Sequence, residues 1–166
     1  MPSSPIPPEE AHAKRGRRKE ARPGELLDAA LDLFVEKGFA ATRSEEVAVR
    51  AGVSKGTLLL YFPNQEDLFK AVSLEHIVGR VNEGLAELQR FEGSSADMLR
   101  FAMCEWWMRV GATKASGITK LVMSEARNFP EIAAFYEQEV MVPGRNLIRH
   151  ILQRGVTSGE FRPLDL

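Results

Sequence analysis

The feature that most constrains this chain is a pair of short helix patterns joined by a glycine turn at residues 42–62, TRSEEVAVRAGVSKGTLLLYF. Thr42 followed by Glu45 predicts a capping box at the start of the first helix. Gly52 favours the left-handed backbone that ends a helix, and Ser54 predicts the cap of the second one. Two short helices around a tight turn are typical of a helix-turn-helix, whose second helix enters the major groove of DNA.

At these residues the sequence resembles the TetR family of bacterial repressors. The resembling residues are LLDAA at 26–30, LF at 33–34, GF at 38–39, Thr42, AGVSKGTL at 51–58, YF at 61–62 and EDLF at 66–69. They follow the family's order and spacing, so the resemblance is more specific than a bare helix-turn-helix pattern. It implies an all-α fold, in which an N-terminal three-helix helix-turn-helix DNA-binding domain is followed by a helical ligand-binding and dimerisation domain.

The remainder of the chain also predicts helices, because no stretch alternates polar and apolar residues for long enough to indicate a strand. We expect residues 23–37 to form the first helix and Gly38 to end it. Pro143 should kink or split the last helix, since proline disrupts a helix interior. The further helices are predicted at 64–91, 96–111, 117–127 and 131–157.

Three regions are expected along the chain: a disordered basic arm at 1–22, a DNA-binding domain at 23–69 and a ligand-binding and dimerisation domain at 70–166. The arm begins with prolines and serines and then carries six basic residues against one acid. Such a run is usually a solvated tail. Beside a helix-turn-helix, we instead expect Arg17 and Arg18 to lie along phosphates or in the minor groove.

The DNA-binding face is expected on the second helix of the motif and at the start of the first. Leu58 and Phe62 share the inward side of the second helix, so its other residues are left to face the groove. Arg43 is the guanidinium on this face that could read a guanine edge. The simpler interpretation, that these cations are merely solvated, stays open. The predicted DNA-binding residues are Arg17, Arg18, Thr42, Arg43, Ser44, Lys55, Gly56, Thr57, Leu60, Tyr61 and Gln65.

Two residues depart from the family pattern. Leu59 stands where a tyrosine is usual, and Gln65 stands where a lysine usually meets phosphate. Loss of one phosphate contact should lower the slope of the salt dependence by about one unit, although the basic arm could supply the missing charge. These departures favour an alternative, in which the chain is a small-molecule-binding or dimerisation module that kept the fold and lost specific DNA binding.

A second candidate site is a ligand pocket between helices of the body. The resemblance implies such a pocket without identifying the ligand, and pockets of this kind are lined by apolar and aromatic side chains. The same side chains are more often simply core, so both interpretations stay open. Trp106 and Trp107 lie about 100° apart on a helix and cannot both face one pocket. The predicted ligand-binding residues are Met103, Trp106, Trp107, Met123, Phe129 and Tyr136.

Composition argues against several other classes of protein. The net charge is −1, so any basic surface must be local. No apolar run approaches the roughly 20 residues that span a bilayer, and we expect a cytoplasmic protein without membrane contact. Cys104 is the only cysteine, and we expect it to be a buried structural thiol. The histidines lack metal-ligand spacing and no phosphate-binding glycine motif occurs, so we predict no enzyme, no metal and no cofactor.

The resemblance also implies how the parts work together. Regulators of this kind bind a palindromic double-stranded DNA operator as homodimers, most often as repressors, and release it when a small apolar or aromatic effector binds the body. Family members usually continue beyond residue 159 with two helices that form much of the dimer interface. We therefore expect either a truncated C-terminus, which is the favoured interpretation, or a dimer contact made by residues 131–157.

Overall fold

The computed structural model describes residues 23–165, and these residues form seven helices and no strand. The expected all-α architecture is therefore confirmed, and the predicted basic arm lies outside the described residues. The helices are α1 (Pro23–Lys37), α2 (Ser44–Arg50), α3 (Lys55–Tyr61), α4 (Gln65–Ser73, Leu74–Gly79 and Arg80–Leu88), α5 (Ser95–Trp106 and Trp107–Gly111), α6 (Ser116–Glu125) and α7 (Pro130–Tyr136, Glu137–Met141 and Val142–Thr157).

The caps around α3 form as the sequence predicts. The Ser54 hydroxyl accepts a hydrogen bond from the Thr57 amide at 3.1 Å, and the Asn64 side chain accepts one from the Asp67 amide at 2.7 Å. Gly52 has a φ of +71°, a left-handed conformation that costs glycine little. These local signals fix the lengths of α2 and α3 and the turn between them.

The capping box predicted from Thr42 is wrong, because α2 begins one residue later than that pattern requires. Arg43 occupies the cap position, and its amide donates to the Glu46 carboxylate at 3.4 Å. Thr42 is buried instead, and its hydroxyl donates to the Gly38 carbonyl at 2.7 Å. The hydroxyl therefore stabilises the turn between α1 and α2, and leaves capping to the next residue.

Each of the three long helices α4, α5 and α7 contains one turn of π-helix, at Leu74–Gly79, Trp107–Gly111 and Glu137–Met141. The last of these turns lies directly before Pro143, where we expected a kink or a split. Proline lacks an amide hydrogen and crowds the carbonyl four residues earlier. The wider π turn accommodates both defects, so α7 continues through the proline.

One hydrophobic core runs from the helix-turn-helix into the body. The ring centroid of Phe39 lies 5.8 Å from that of Phe34, 5.6 Å from that of Phe69 and 4.7 Å from that of Phe129. Because Phe129 belongs to the body, this cluster joins the two parts of the chain. The division into domains at residue 70 stays a prediction. A smaller cluster closes the far end of the body and contains Leu88, Met98, Ala102 and Ile151.

Candidate DNA-binding face and effector cavity

One side of helix α3 packs on the hydrophobic core, and the other side is exposed to solvent. Leu58 is 1% exposed, whereas Leu60 is 85% exposed and Tyr61 is 49% exposed. Lys55 and Gly56 are exposed as well. An exposed leucine on a helix of this kind can contact a thymine methyl group, and an exposed tyrosine hydroxyl can bond to a phosphate. This side of α3 has the chemistry expected of a helix that lies against DNA.

Ion pairs hold α3 and α2 in place beside α1. Glu45 Oε1 of α2 lies 2.5 Å from Lys55 Nζ of α3, and Arg50 of α2 donates two hydrogen bonds, of 2.8 and 2.9 Å, to Glu36 of α1. The hydrogen bond from Lys55 holds the pKa of the Glu45 carboxyl below its usual range, and Arg50 does the same for Glu36. The orientation of α3 therefore depends on charge as well as on packing.

The roles of Glu45 and Glu36 in orienting α3 were not predicted from the sequence. The only available signal was a pair of opposite charges 10 residues apart and another pair 14 residues apart. Neither spacing matches a periodicity within one helix, so only the tertiary packing reveals the contacts.

Two predicted DNA-binding residues point into the protein. Thr42 is buried, as described above. The Gln65 side-chain amide donates to the carbonyls of Phe39 and Thr42, the latter at 2.9 Å. Gln65 therefore holds the turn between α1 and α2 against the start of α4. Its nitrogen is occupied by these bonds, which corrects the expectation that this side chain faces phosphate.

The remaining predicted DNA-binding residues differ in how far they are exposed to solvent. Arg43 is exposed at the start of α2, and the contact between Glu45 and Lys55 brings this end of α2 to the start of α3. Ser44 is half-buried. Thr57 is half-buried too, with its hydroxyl 2.9 Å from that of Ser54. Arg17 and Arg18 lie outside the described residues.

A cavity of about 270 Å³ lies between α4, α5 and α7. Gly84, in the middle of α4, faces α5, where an added Cβ would make ordinary contact, at 3.8 Å, with Glu105 and Arg109. Most of the wall is apolar, and the charged groups are three side chains on α4 and α5. The lining residues are Arg80, Val81, Gly84, Leu85, Leu88, Ala102, Met103, Glu105, Trp106, Arg109, Gly144, Leu147 and Ile148.

Only two of the predicted ligand-binding residues, Met103 and Trp106, line this cavity. Trp107 and Met123 are 56% and 74% exposed and do not line it. Phe129 packs on Phe39 in the shared core. Tyr136 is buried, with its hydroxyl 2.7 Å from that of Thr119. The aromatic pattern alone did not show which helices enclose a space, and the assignment of these four residues to a ligand site stays a prediction.

The wall contributed by α4 was missed for a different reason. Its leucines and Val81 repeat at helical spacing, and such a stripe predicts core. Gly84 was the available signal, since a glycine within a helical pattern often marks a close approach. Cys104 is also corrected: it is exposed on α5, next to the equally exposed Met103. Its neighbours Met103, Trp106 and Trp107 are exposed as well, whereas Ala102 is buried on the other side of the helix.

The head of this structure, which comprises α1, α2, α3 and the start of α4, matches a known family model. Residues 26–72, from α1 into α4, match the model for bacterial regulatory proteins of the TetR family. Residues 26–72 form a DNA-binding head of the TetR-family type. RutR of Escherichia coli K12, an HTH-type transcriptional regulator, is 51% identical over 59 residues, which are 36% of this chain and 28% of RutR. The chain thus covers well under two thirds of that relative, and the identical residues fall within a single stretch of 59 residues.

Solved structures extend the likeness of fold into the body. The fatty acid degradation regulator FadR from Bacillus halodurans superposes with a TM-score of 0.74 at 24% identity, over 87% of this chain and 76% of that one. FadR from Bacillus subtilis, solved in complex with stearoyl-CoA, superposes with a TM-score of 0.67 at 22% identity and the same coverage. At these identities the comparison establishes the fold of this chain and nothing further.

The junction between the helix-turn-helix and the body of the chain is polar. Lys114, just before α6, lies 2.6 Å from Asp32 of α1. His76, in the π turn of α4, is buried, and its Nε2 lies 3.4 Å from Asp28 of α1 without a hydrogen bond. These four side chains border a second cavity of about 320 Å³, which Arg80 also lines. Charged contacts thus cross from the body to the DNA-binding head.

Neither a metal-binding cluster nor a membrane-spanning helix occurs in the described part of the chain. Among residues 23–165, no three histidine, cysteine, aspartate or glutamate side chains are grouped so that they could hold a metal ion. Within the same residues, no helix is both long and apolar enough to cross a membrane. The exposed side of α3 and the cavities beside α4 are therefore the candidate sites.

Proposed function

We propose that the protein is a ligand-responsive transcriptional regulator, most simply a repressor, which acts in the cytoplasm as a homodimer on a palindromic operator. The observation that carries the proposal is the exposed side of α3, within the residues that match the TetR family. A helix presented in this way fits the major groove. Dimerisation is typical of the family, and two copies would place their α3 helices about one helical turn, 34–36 Å, apart.

The charges of the head support a role for the N-terminal arm in this function. Residues 23–72 contain eight acidic and five basic side chains, and Lys55 is already paired with Glu45. Binding to duplex DNA draws most of its non-specific free energy from cations that neutralise phosphates. The folded head is poor in such cations, so we propose that the basic arm, including Arg17 and Arg18, supplies them.

The cavity between α4, α5 and α7 is the proposed effector site. Its wall is mostly apolar with a few charged groups, which is the usual composition of a small-molecule site. The complex of Bacillus subtilis FadR with stearoyl-CoA supports the idea that this fold accepts an effector with a long apolar part. The effector class expected from the sequence, a small apolar or aromatic molecule, fits the walls contributed by Leu85, Trp106 and Leu147.

The same helix that lines the cavity also connects it to the head. Helix α4 contributes Arg80, Val81 and Gly84 to the cavity, and its first turn holds the head through Gln65. We propose that effector binding favours a different packing of α4 and so a different spacing of the two α3 helices in the dimer. The effector can shift this equilibrium only by the difference between its affinities for the two packings.

Binding to duplex DNA by a charge-neutralised variant tests the proposal. Lys55→Ala combined with Thr57→Ala should weaken binding to every duplex by roughly tenfold at low salt, since one phosphate contact and one polar contact are lost. Lys120→Ala, an exposed lysine of α6, is the control with the same change of charge. Equal affinities of the double variant and the control would exclude this face of α3 from DNA binding.

A second candidate function is a ligand-binding or dimerisation module of the same fold that no longer binds DNA specifically. Two observations favour it: Lys55 is paired with Glu45, and the amide of Gln65 is occupied within the protein. The salt dependence of duplex binding separates the two functions. A DNA-binding regulator should lose affinity steeply as salt rises, whereas a module of this kind should show no binding at any salt concentration.

A further inference from the structure

The charged groups around the effector cavity differ in what they already bind. The guanidinium of Arg109 is fully engaged: Nε lies 2.6 Å from Glu105, Nη1 lies 3.1 Å from Glu83 and Nη2 lies 3.0 Å from Glu87. Arg80 lines the same cavity and forms no ion pair with any carboxylate among residues 23–165. Arg80 is therefore the lining cation whose donors are open to an anion.

The surplus acids near Arg109 do not make the cavity a cation site. Three carboxylates surround one guanidinium there, but the side chains of Glu83 and Glu87 are 68% and 53% exposed and lie outside the cavity wall. Water and salt screen charges in such positions. The third acid, Glu105, is held by Arg109 at 2.6 Å. Among the charged side chains that line the cavity, Arg80 is the one without an ion pair, and it is itself exposed to solvent.

The apolar wall extends beyond one compartment. A neighbouring cavity of about 230 Å³ between α4 and α7 shares Val81, Leu85, Gly144 and Leu147 with the effector cavity. An added Cβ on Gly144 would meet no atom within 4 Å, so the backbone of α7 faces open space there. This second compartment is also lined by Asn82 and Glu139, so its apolar wall is the part it shares with the effector cavity. The two adjoining compartments fit an elongated apolar body better than a compact one.

We propose that the effector is an elongated apolar molecule with an oxyanion at one end, a carboxylate or a phosphate, and that Arg80 binds this oxyanion. The inference rests on the proposed function, because it names the chemical class of ligand for the cavity assigned there. A guanidinium can bond both oxygens of such a group at once, which adds orientation to affinity. The apolar body then lies along Val81, Leu85 and Leu147.

Arg80 also gives the bound anion a way to affect the head. It follows the π turn of α4 directly and lines the polar junction cavity with Asp28 and Asp32 of α1. An anion that engages Arg80 withdraws positive charge from beside these two aspartates. The bound anion thus changes the charge at the junction with the DNA-binding head, although Arg80 forms no ion pair there.

Three probes of equal length and different charge test this proposal: sodium octanoate, 1-octanol and octylammonium chloride, titrated into the wild type, Arg80→Gln and Arg90→Gln. Arg90 is the control, since it is exposed just after α4 and lines neither cavity. Octanoate should bind the wild type and Arg90→Gln most tightly of the three probes. Arg80→Gln should bind octanoate about tenfold more weakly while its affinity for octanol is unchanged.

Several outcomes would overturn the proposal. The first is equal affinity of the wild type for octylammonium and octanoate, the second is binding of octanoate to Arg80→Gln as tight as to the control, and the third is no binding of any probe. Each result excludes an anion site at Arg80. The melting temperature of Arg80→Gln without probe checks that the variant folds. Duplex binding in the absence of probes is measured separately, so loss of DNA binding reports on the proposed function and leaves the ligand test independent.

Discussion

Glu45 determines how much of the Lys55 charge is available to DNA. Its carboxylate holds the ammonium at 2.5 Å, and it adds a negative charge to the side of α2 that adjoins α3. A phosphate must compete with Glu45 for this lysine. The pair therefore lowers non-specific attraction and leaves more of the binding to residues that contact bases.

Replacement of this acid gives the first prediction. Glu45→Gln should raise affinity for a random duplex by roughly threefold to tenfold at low salt and by less at high salt, because screening weakens the gain. Fluorescence anisotropy at several salt concentrations measures the effect. Glu92→Gln, an exposed acid away from the head, is the control, and an equal gain in both variants would contradict a specific role for the pair.

His76 makes stability depend on pH. Burial lowers its pKa below the ordinary value near 6.5, against the opposing effect of Asp28; Arg80 lowers it further and Glu75 raises it. Asp32 and Lys114 border the same junction cavity. A histidine whose pKa falls on folding binds more protons in the unfolded chain, so its contribution is fully present above about pH 6.5 and is lost as pH falls.

The second prediction follows from this shift. The free energy of unfolding of the wild type should decline as pH falls from 7 towards 5, and His76→Gln should show a flatter dependence over that range. Urea unfolding at four pH values measures it. His150 is an exposed histidine of α7, and His150→Gln should show the same decline as the wild type. If both variants showed an equally flattened dependence, the decline would not be specific to His76.

At the scale of helices and segments, the head alone carries too few free cations for tight binding to duplex DNA. We predict that Arg17→Gln combined with Arg18→Gln lowers the slope of log affinity against log salt by about two units, or about 0.9 per phosphate contact. Arg145→Gln combined with Arg149→Gln removes two exposed cations from α7 and should leave the slope unchanged. An unchanged slope in the arm variant would mean that these arginines do not contact phosphate.

The packing of α6 on α1 leaves no room for a side chain at Gly117. An added Cβ would lie 2.6 Å from Cγ2 of Val35, and valine has little freedom to move away. Gly117→Ala should therefore destabilise the fold by about 1–3 kcal/mol, the usual cost of overpacking. Thermal unfolding measures this, with Gly24→Ala as the control, because nothing lies within 4 Å of its added Cβ. Equal melting temperatures would show that the helices can separate without cost.

The helices of the head could be predicted because their limits depend on neighbouring residues. Ser54, Asn64 and Gly52 act within one turn of their own positions, and they place α3 and its flanking turns correctly. The π turn before Pro143 was not predicted, since proline defines a defect but not how the helix resolves it. The cap of α2 was misplaced by one residue, because Thr42 bonds to the preceding turn instead.

At the scale of the whole molecule, the candidate sites differ in how far the sequence could define them. Exposure on α3 follows from one helix and one buried contact, Leu58, so most of that face was predictable. The cavity needs three helices to meet, and its residues on α4 resembled an ordinary core stripe. Trp107 and Cys104 illustrate the same limit: an apolar sequence predicts burial only if another element covers it.

The whole account depends on whether α3 selects a DNA sequence. Selection from random duplex DNA, carried out at low salt with the wild type and in parallel with Lys55→Ala combined with Thr57→Ala, tests this most directly. The wild type should enrich an inverted repeat whose half-sites are about one helical turn apart, and the variant should not. Failure of the wild type to enrich any motif, or the same motif from both proteins, would contradict a sequence-specific regulator that binds through α3.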